Sequence, residues 1–220
     1  MADVIPAIIA SDFEDLSVQM GEVRGLVDFV QVDLMDGVFV PERTWPFVGN
    51  NGEFEAILSE EEGFPHWKEL TIELDMMVAR PADAISDWSA AGTRRFIVHI
   101  ESEGDYLEIA RAVHEYSGGT DSFFYTEVGP ALSPSTPNEE LYPLLEKADF
   151  VQFMGNDTMG YHGVTLDERV YDKIKDIRSR HAELPIAVDI GVDEDTAPAL
   201  VAAGATRLVA GSVIFGAENP

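Results

Sequence analysis

The chain has 220 residues, of which 45% are hydrophobic, and it contains no cysteine. This length and composition favour a single α/β domain, residues 1–220, with a sizeable core, and they exclude a disulfide framework or a zinc site built on thiolates. Asp and Glu outnumber Lys and Arg by 41 to 14, giving a net charge of -27. A field of that sign disfavours nucleic acid and anionic membranes as partners.

The sequence has no apolar run of about 18 residues, and its first residues lack the basic and apolar regions of a secretory signal. We therefore expect a cytoplasmic protein. The acidic residues are spread along the chain, which is typical of proteins that work in high salt. At about 1 M salt the Debye length of about 3 Å screens the self-repulsion of such a surface. An ordinary acidic protein is the alternative interpretation.

Eight short apolar runs alternate with helix-like stretches, a pattern typical of parallel strands joined by crossover helices. Eight such strands fit a closed (β/α)8 barrel, although periodicity alone also allows a doubly wound sheet. The predicted strands are Val4–Ile9, Phe29–Leu34, Thr71–Met77, Arg95–Ile100, Glu127–Leu132, Phe150–Phe153, Ile186–Val188 and Arg207–Ala210.

Helices are predicted between these strands. Asp12 is a candidate N-cap for the first helix, and later helices are predicted near Glu53, Pro81, Asp167 and Thr196. Only a short stretch follows the last predicted strand, so we expect the eighth helix to be short or missing. The outer faces of strands eight and one would then stay uncovered, so a partner subunit or the N-terminal segment must cover them, and we expect an oligomer, most simply a homodimer.

Polar side chains end three of the predicted strands. Gln31 and Asp33 are two residues apart and therefore share a face, at the strand end where barrels carry catalytic groups. Asp75 ends an apolar strand, where a carboxylate is costly unless it is paired or holds a metal. His99 shares a face with Glu101 at the end of the fourth strand. For each position, a solvated loop residue or a hydrogen-bonded core residue is the simpler interpretation.

Glycine-rich stretches follow the last three predicted strands. They are residues 160–163, which read Gly-Tyr-His-Gly, then Gly191, and then Gly211 with Ser212. Glycine lets backbone N–H groups approach an anion closely. The loops after the last two strands of a barrel frequently form its phosphate site. Together these stretches predict a phosphorylated ligand.

Motifs along nearly the whole chain resemble the ribulose-phosphate 3-epimerase family. The most specific is Asp33-Leu34-Met35-Asp36-Gly37-Val38-Phe39-Val40-Pro41, with further matches at residues 5–13, 99–101, 189–191 and 204–212. The resemblance implies a ribulose-phosphate-binding (β/α)8 barrel that epimerises a ketopentose 5-phosphate at C3. It implies two aspartates acting as acid and base on opposite faces of the substrate. It also implies a divalent metal, held by two Asp and two His, that stabilises the enediolate.

By position, the resemblance assigns the acid and base roles to Asp33 and Asp189. It places two methionines around the reacting centre and the phosphate on the glycine-rich stretches. The implied substrate-binding and phosphate-binding residues, with His99 added from its strand position, are Met35, Met77, His99, Gly160, Tyr161, His162, Gly163, Gly191, Gly211 and Ser212.

The chain departs from the family pattern at the metal site. Gln31 and Asp75 stand where the family has its two histidines, and the double glycine after the second catalytic aspartate is Ile190-Gly191. The remaining metal-site residues, Gln31, Asp33, Asp75 and Asp189, offer only oxygen. Oxygen ligands suit Mg²⁺ or Mn²⁺ better than Zn²⁺ or Fe²⁺. A site that binds no metal is the alternative.

Three functions stay open at this point. The first is a sugar-phosphate 3-epimerase, and the second is a decarboxylase or aldolase on the same phosphate-binding scaffold. The third is a barrel that binds a phosphorylated sugar without catalysis. The Asp-x-Lys pair of the related decarboxylases is absent, since position 35 is Met. The barrel fold alone does not decide, because it hosts many reactions.

Overall fold

Eight parallel strands close into a barrel in the computed structural model, which describes residues 2–49, 51–117, 125–161 and 163–217. Each strand pairs with the next in chain order, and β8 pairs with β1. The closed barrel predicted from the sequence is confirmed, and the doubly wound alternative is wrong. The strands are β1 Asp3–Ile8, β2 Phe29–Met35, β3 Thr71–Met77, β4 Arg95–His99, β5 Glu127–Leu132, β6 Val151–Met154, β7 Ile186–Asp189 and β8 Arg207–Ala210.

Helices connect the strands on the outside of the barrel. In the crossover from β5 to β6 the described residues form only 3-10 turns, and Pro81 likewise begins a 3-10 turn. No helix in the described ranges has the length and apolar composition needed to cross a membrane. The helices are α1 Phe13–Val23, α2 Gly52–Leu58, α3 Ile85–Ala90, α4 Tyr106–Tyr116, α5 Arg169–Arg180, α6 Ala197–Ala203 and α7 Ser212–Phe215.

The first helix illustrates how local sequence sets the element boundaries. Asp12 lies in extended backbone, and its side chain accepts a hydrogen bond of 2.8 Å from the backbone N–H of Asp15. This bond satisfies one of the N–H groups that a helix start leaves without a partner. Leu16, Met20 and Val23 recur at helical spacing, and all three are buried against the strands. The predicted N-cap is confirmed.

Strand alternation separates the outer core from the barrel interior. On β2, Val30, Val32 and Leu34 belong to the core cluster packed beneath the helices, whereas Gln31 and Asp33 point the other way. Because alternate residues of a barrel strand face inward, the polar residues of β2 enter the interior. On β2 the sequence therefore buries polar groups inside the barrel and apolar groups around it.

The floor of the barrel, at the amino-terminal ends of the strands, contains a buried charge network. Glu73 is hydrogen-bonded to the guanidinium of Arg207, and Arg95 lies 3.8 Å from the same carboxylate oxygen. Arg95 also pairs with Glu127 at 2.8 Å and lies over the ring of Phe150. The side chains of Glu73, Arg207 and Arg95 are less than a tenth exposed, so this network closes the bottom of the barrel with buried ion pairs.

The eighth helix is short, as predicted, but it covers more than the sequence suggested. Ile214 packs against both large core clusters, one containing Ile8 of β1 and the other Leu208 of β8. Both of these outward-facing residues are buried, while Val4 at the start of β1 is 50% exposed. The expectation that the outer faces of β1 and β8 stay uncovered is therefore wrong for most of their length.

Candidate active site

Three aspartates meet at the carboxyl-terminal mouth of the barrel. Asp33 of β2 and Asp75 of β3 are register partners, and Asp189 ends β7. One carboxylate oxygen from each lies within 4.8 Å of the other two, and all three side chains are buried. The structure thus brings together the three carboxylates that the sequence singled out, because each lies on the inward face of its strand within the last three residues.

Gln31 links two of these carboxylates. Its amide nitrogen donates to Asp33 Oδ1 at 2.8 Å and to Asp189 Oδ2 at 2.7 Å. The side chain is fully buried, and its amide oxygen has no hydrogen-bond partner among the described residues. The amide therefore holds Asp33 and Asp189 at a fixed separation and leaves one oxygen unused.

Asp75 is held by two further side chains. His99 Nε2 lies 2.8 Å from Asp75 Oδ1, and Gln152 Nε2 donates to Asp75 Oδ2 at 3.2 Å. The His99 ring packs against Phe39, with 5.1 Å between ring centroids. Gln152 is fully buried on β6, and its amide oxygen also lacks a partner within the described residues. Both oxygens of the Asp75 carboxylate are thus engaged.

A cavity of about 270 Å³ opens above the aspartates. Asp33, Met77, Met154 and Asp189 line its inner end, and small residues of the loops after β6, β7 and β8 line its outer end. The predicted phosphate-binding residues in this lining are Gly160, Tyr161, Gly163, Gly191, Gly211 and Ser212. The cavity therefore joins the carboxylates to the glycine-rich loops.

Two of the predicted substrate-binding residues, Met35 and His99, lie outside this lining. Met35 is buried behind the cavity wall, in a cluster with Met77. If Gly160 carried a Cβ atom, the sulfur of Met35 would be the nearest atom to it. His99 likewise contacts Asp75 from behind the lining. His162 falls outside the described residues. Met35 thus lies behind Gly160 of the cavity lining, and His99 lies behind Asp75.

Sequence comparison gives the family. A family model described as "Ribulose-phosphate 3 epimerase family" matches residues 3–215. The chain belongs to this family. The match extends from the first strand to the last helix, so it includes the three aspartates and all the glycine-rich loops.

Curated relatives of similar length agree with the family. The "Ribulose-phosphate 3-epimerase, cytoplasmic isoform" of Oryza sativa subsp. japonica is 29% identical, over 100% of this chain and 90% of the relative. The "Ribulose-phosphate 3-epimerase" of Schizosaccharomyces pombe is 30% identical, over 100% and 89%. The protein of the same name from Bacillus subtilis is 29% identical, over 100% and 94%.

Solved structures support the fold. The 3-hexulose-6-phosphate synthase of Salmonella typhimurium aligns with a TM-score of 0.68 at 15% identity, covering 99% of this chain and 92% of the other. The tryptophan synthase α-subunit of Pyrococcus furiosus aligns with a TM-score of 0.67 at 16% identity, covering 97% and 88%. At this level of identity the likeness is one of barrel architecture.

Burial and mutual repulsion perturb the ionisation of the epimerase-family site. Burial, followed by the charges of Asp189 and Asp75, raises the pKa of Asp33 well above its usual range. Burial and the charge of Asp75 raise the pKa of Asp189 to about 7. Burial alone would lower the pKa of His99, but the neighbouring Asp75 carboxylate outweighs it and raises that pKa. The site therefore favours shared protons or a bound cation over three free carboxylates.

The donor set of the site fits an oxygen-coordinated divalent cation. Asp33, Asp75 and Asp189 each bring one carboxylate oxygen within 4.8 Å of the other two, and the neighbouring Gln31 and Gln152 each carry a buried amide oxygen without a partner among the described residues. Buried polar atoms without partners are uncommon in folded proteins. Hard cations such as Mg²⁺ and Mn²⁺ prefer this all-oxygen chemistry.

The sequence did not single out Gln152, and the prediction that Glu101 shares a face with His99 is wrong. Strand β4 ends at His99, so alternation does not continue to Glu101. Glu101 instead accepts hydrogen bonds from the Ser133 N–H at 2.9 Å and the Thr136 hydroxyl at 2.5 Å. The available signal for Gln152 was a single amide within an otherwise apolar strand, where an unpaired polar group is costly.

Proposed function

We propose that this chain is a ribulose-phosphate 3-epimerase that inverts C3 of a ketopentose 5-phosphate. The observation that carries the proposal is the pair Asp33 and Asp189, which come from strands three places apart around the barrel, β2 and β7, and line the inner end of the cavity. The C3 proton lies α to the C2 carbonyl. One carboxylate removes this proton to give an enediolate, and the carboxyl group on the other face delivers a proton to C3.

The electrostatics of the site support this acid and base chemistry. A general acid or base works best when its pKa lies near the working pH. Burial and Asp75 bring the pKa of Asp189 to about 7, and the pKa of Asp33 is also raised. Gln31 donates to both carboxylates and so fixes their spacing on either side of the reacting carbon. Asp75 in turn is oriented by His99 and Gln152.

We further propose that Asp33, Asp75 and Asp189, with Gln31, hold a divalent cation, for which Mg²⁺ or Mn²⁺ fits better than Zn²⁺ or Fe²⁺. The cation supplies positive charge for the oxygens of an enediolate. The unpartnered amide oxygen of Gln31 supports this assignment.

The substrate phosphate is proposed to bind the backbone of the glycine-rich loops. Among the described residues that line the cavity there is no Lys or Arg, so backbone N–H groups must supply most of the donors. Gly160, Gly163, Gly191 and Gly211 allow the close approach that this requires, and Ser212 adds a hydroxyl. His162 belongs to the same proposal on sequence grounds.

The direct test is solvent deuterium exchange into a ketopentose 5-phosphate in D₂O, with Mn²⁺ or Mg²⁺ and with chelator. Exchange confined to C3, with formation of the C3 epimer, is the expected result. Tight binding of the sugar phosphate without exchange would favour the non-catalytic binder instead. Cleavage of a carbon–carbon bond of the ketopentose 5-phosphate would favour an aldolase, and release of CO₂ from a carboxylated sugar phosphate supplied in parallel would favour a decarboxylase.

Metal binding gives a second prediction. In titration calorimetry at high KCl we expect Mn²⁺ and Mg²⁺ to bind the unmodified protein. Asp75→Asn removes one of three carboxylates, so we expect Mn²⁺ affinity to fall by more than about tenfold. Gln152→Leu removes a donor that orients Asp75, and such supporting residues typically change metal affinity by about 10–100-fold.

Glu101→Gln is the matched control, because this carboxylate accepts hydrogen bonds from the β5 loop and lies outside the aspartate cluster. We expect its Mn²⁺ affinity to stay within about threefold of the unmodified protein. If neither cation binds, even with a sugar phosphate present, the metal proposal is wrong and a metal-free site takes its place.

Salt dependence gives a third prediction, from the proposal that the protein works in high salt. With a net charge of -27, self-repulsion destabilises the compact state at low ionic strength. Between 0.1 M and about 2 M KCl, where the Debye length shrinks from about 10 Å to below about 3 Å, we expect the midpoint of thermal unfolding to rise by more than about 4 °C. That shift corresponds to about 1 kcal/mol or more. A midpoint that is unchanged or falls would contradict the high-salt proposal.

A homodimer and a cytoplasmic location also remain proposals. The exposed Val4 on β1 supports a small contact area at most, since Ile8 and Leu208 are already buried. Among the relatives, one is named a cytoplasmic isoform, and another, from Arabidopsis thaliana, is named chloroplastic. Light scattering in molar salt measures the oligomeric state directly.

A further inference from the structure

Ile190 occupies a backbone conformation that disfavours its side chain. Its φ is 74°, in the left-handed region, where the family pattern has glycine and where a β-branched residue is strained. The other non-glycine residues with positive φ in the described ranges, Glu60 and His66, are unbranched at Cβ. Backbone strain of this kind persists only where the surrounding structure enforces it, and it concentrates at functional sites.

The ends of β6 and β7 enforce this conformation. The Ile190 N–H donates to Asp189 Oδ1 at 2.6 Å, and the Gly155 N–H donates to the Asp189 carbonyl at 2.5 Å. Gly155 packs so closely that a Cβ atom there would overlap the Ile190 carbonyl oxygen. Gly191, with φ of 72°, also packs closely on Leu166. These contacts hold the backbone of Ile190 in place and so fix the direction in which its side chain leaves the backbone.

The fixed side chain lies between the two ends of the cavity. Ile190 lines the cavity, follows Asp189 at the inner end and precedes Gly191 at the outer end. It packs against the small core cluster that contains Met154. In a sugar phosphate with C3 beside Asp189 and its phosphate on Gly191, the carbons between these groups pass this wall.

We propose that Ile190 is a specificity-determining residue that favours ketopentose 5-phosphates over ketohexose 6-phosphates. The six-carbon substrate places one more CHOH group between C3 and the phosphate. A rigid apolar wall leaves that group less space and offers its hydroxyl no hydrogen-bond partner, which disfavours burial. This inference rests on the proposed function, since it takes C3 and the phosphate to lie where that function requires.

The test compares Ile190→Gly and Ile190→Ala with the unmodified protein. The readout is the ratio of kcat/KM for a ketopentose 5-phosphate to kcat/KM for a ketohexose 6-phosphate of matching configuration at C3 and C4. We expect both variants to lower this ratio at least tenfold, mainly through KM. Agreement between them separates the side-chain volume from backbone strain, because alanine keeps the strain and glycine relieves it. Val192→Ala, which removes volume from the outer end of the same cavity, should leave the ratio within threefold.

Binding of the corresponding pentitol 5-phosphate and hexitol 6-phosphate is measured in parallel by calorimetry. These reduced analogues lack the carbonyl, so their ratio of Kd values reports the shape of the cavity without turnover. If the unmodified protein catalyses no exchange, the proposed function fails. A weaker preference for the pentitol 5-phosphate over the hexitol 6-phosphate in both Ile190 variants would still support the role of Ile190 in specificity. Unchanged ratios in both variants, with native circular dichroism, would overturn it.

Discussion

Asp33→Asn and Asp189→Asn are each expected to reduce inversion at C3 by at least about 10²–10⁴-fold, the usual contribution of one general acid or base. Each substitution keeps the shape of the side chain and removes its ability to accept a proton. Because inversion needs a proton acceptor on one face and a donor on the other, loss of either group stops the epimerisation. Formation of the C3 epimer is followed by NMR in D₂O, with each variant saturated in Mn²⁺ or Mg²⁺.

Stability measurements distinguish loss of chemistry from loss of fold. Asp189 has its pKa raised to about 7 by burial and by Asp75, so the fold favours its protonated form. For chelator-treated protein, this favourable contribution is complete below the ordinary pKa and is lost as pH rises through about 7. Asn has no such titration, so Asp189→Asn should unfold at an equal or higher temperature than the unmodified protein at pH 8. Asp83→Asn, on the exposed surface, serves as the isosteric control for both measurements.

A variant that keeps inversion at C3 within tenfold of the unmodified protein while binding the sugar phosphate normally would contradict the two-aspartate mechanism. Loss of inversion in both variants together with normal unfolding and normal sugar-phosphate binding is the result that supports it. Exchange without inversion that persists from only one of the two epimers would assign the remaining aspartate to one face of the substrate.

The fold was predictable because buried parallel strands leave a direct signal in the sequence. Strand β2 was predicted at Phe29–Leu34 and is observed at Phe29–Met35, and β3 was predicted with its observed bounds. Helix positions were less accurate. The helix predicted from Asp167 begins at Arg169, because the side chain of Asp167 accepts from the Arg169 N–H and forms a turn before the helix. Local hydrogen bonds of this kind compete with a helix start.

The site was only partly predictable. Asp75 stood out because a carboxylate in an apolar strand needs a partner, and the structure provides His99 and Gln152. Gln152 itself did not stand out, since the partner of a neutral amide depends on which strand faces it across the barrel. The left-handed backbone of Ile190 was hidden for the same reason. It is imposed by Gly155, which is 35 positions earlier in the chain.

The barrel floor gives the largest expected effect on stability. Glu73 is 1% exposed and neutralises Arg207, which is hydrogen-bonded to it, and in part Arg95 at 3.8 Å. Glu73→Ala leaves buried guanidinium groups without their central counter-charge. Removing one partner of a buried ion pair typically destabilises a protein by about 3–5 kcal/mol. For a chain of this length, that loss lowers the unfolding midpoint by roughly 6–20 °C.

Two further variants test whether the burial of Glu73 causes the loss of stability expected for Glu73→Ala. Asp83→Ala breaks the exposed pair with Arg80 at 2.9 Å, and exposed pairs contribute about 0–1 kcal/mol, so its midpoint should barely move. The double variant Glu73→Met with Arg207→Met removes both charges and fills the space with apolar atoms, while Arg95 keeps its pair with Glu127. Because replacing a buried pair by hydrophobic residues is often neutral, we expect the double variant to recover most of the loss. If Glu73→Ala costs no more than Asp83→Ala, the network on the floor does not hold the barrel closed, and the apolar packing around the strands is sufficient to do so.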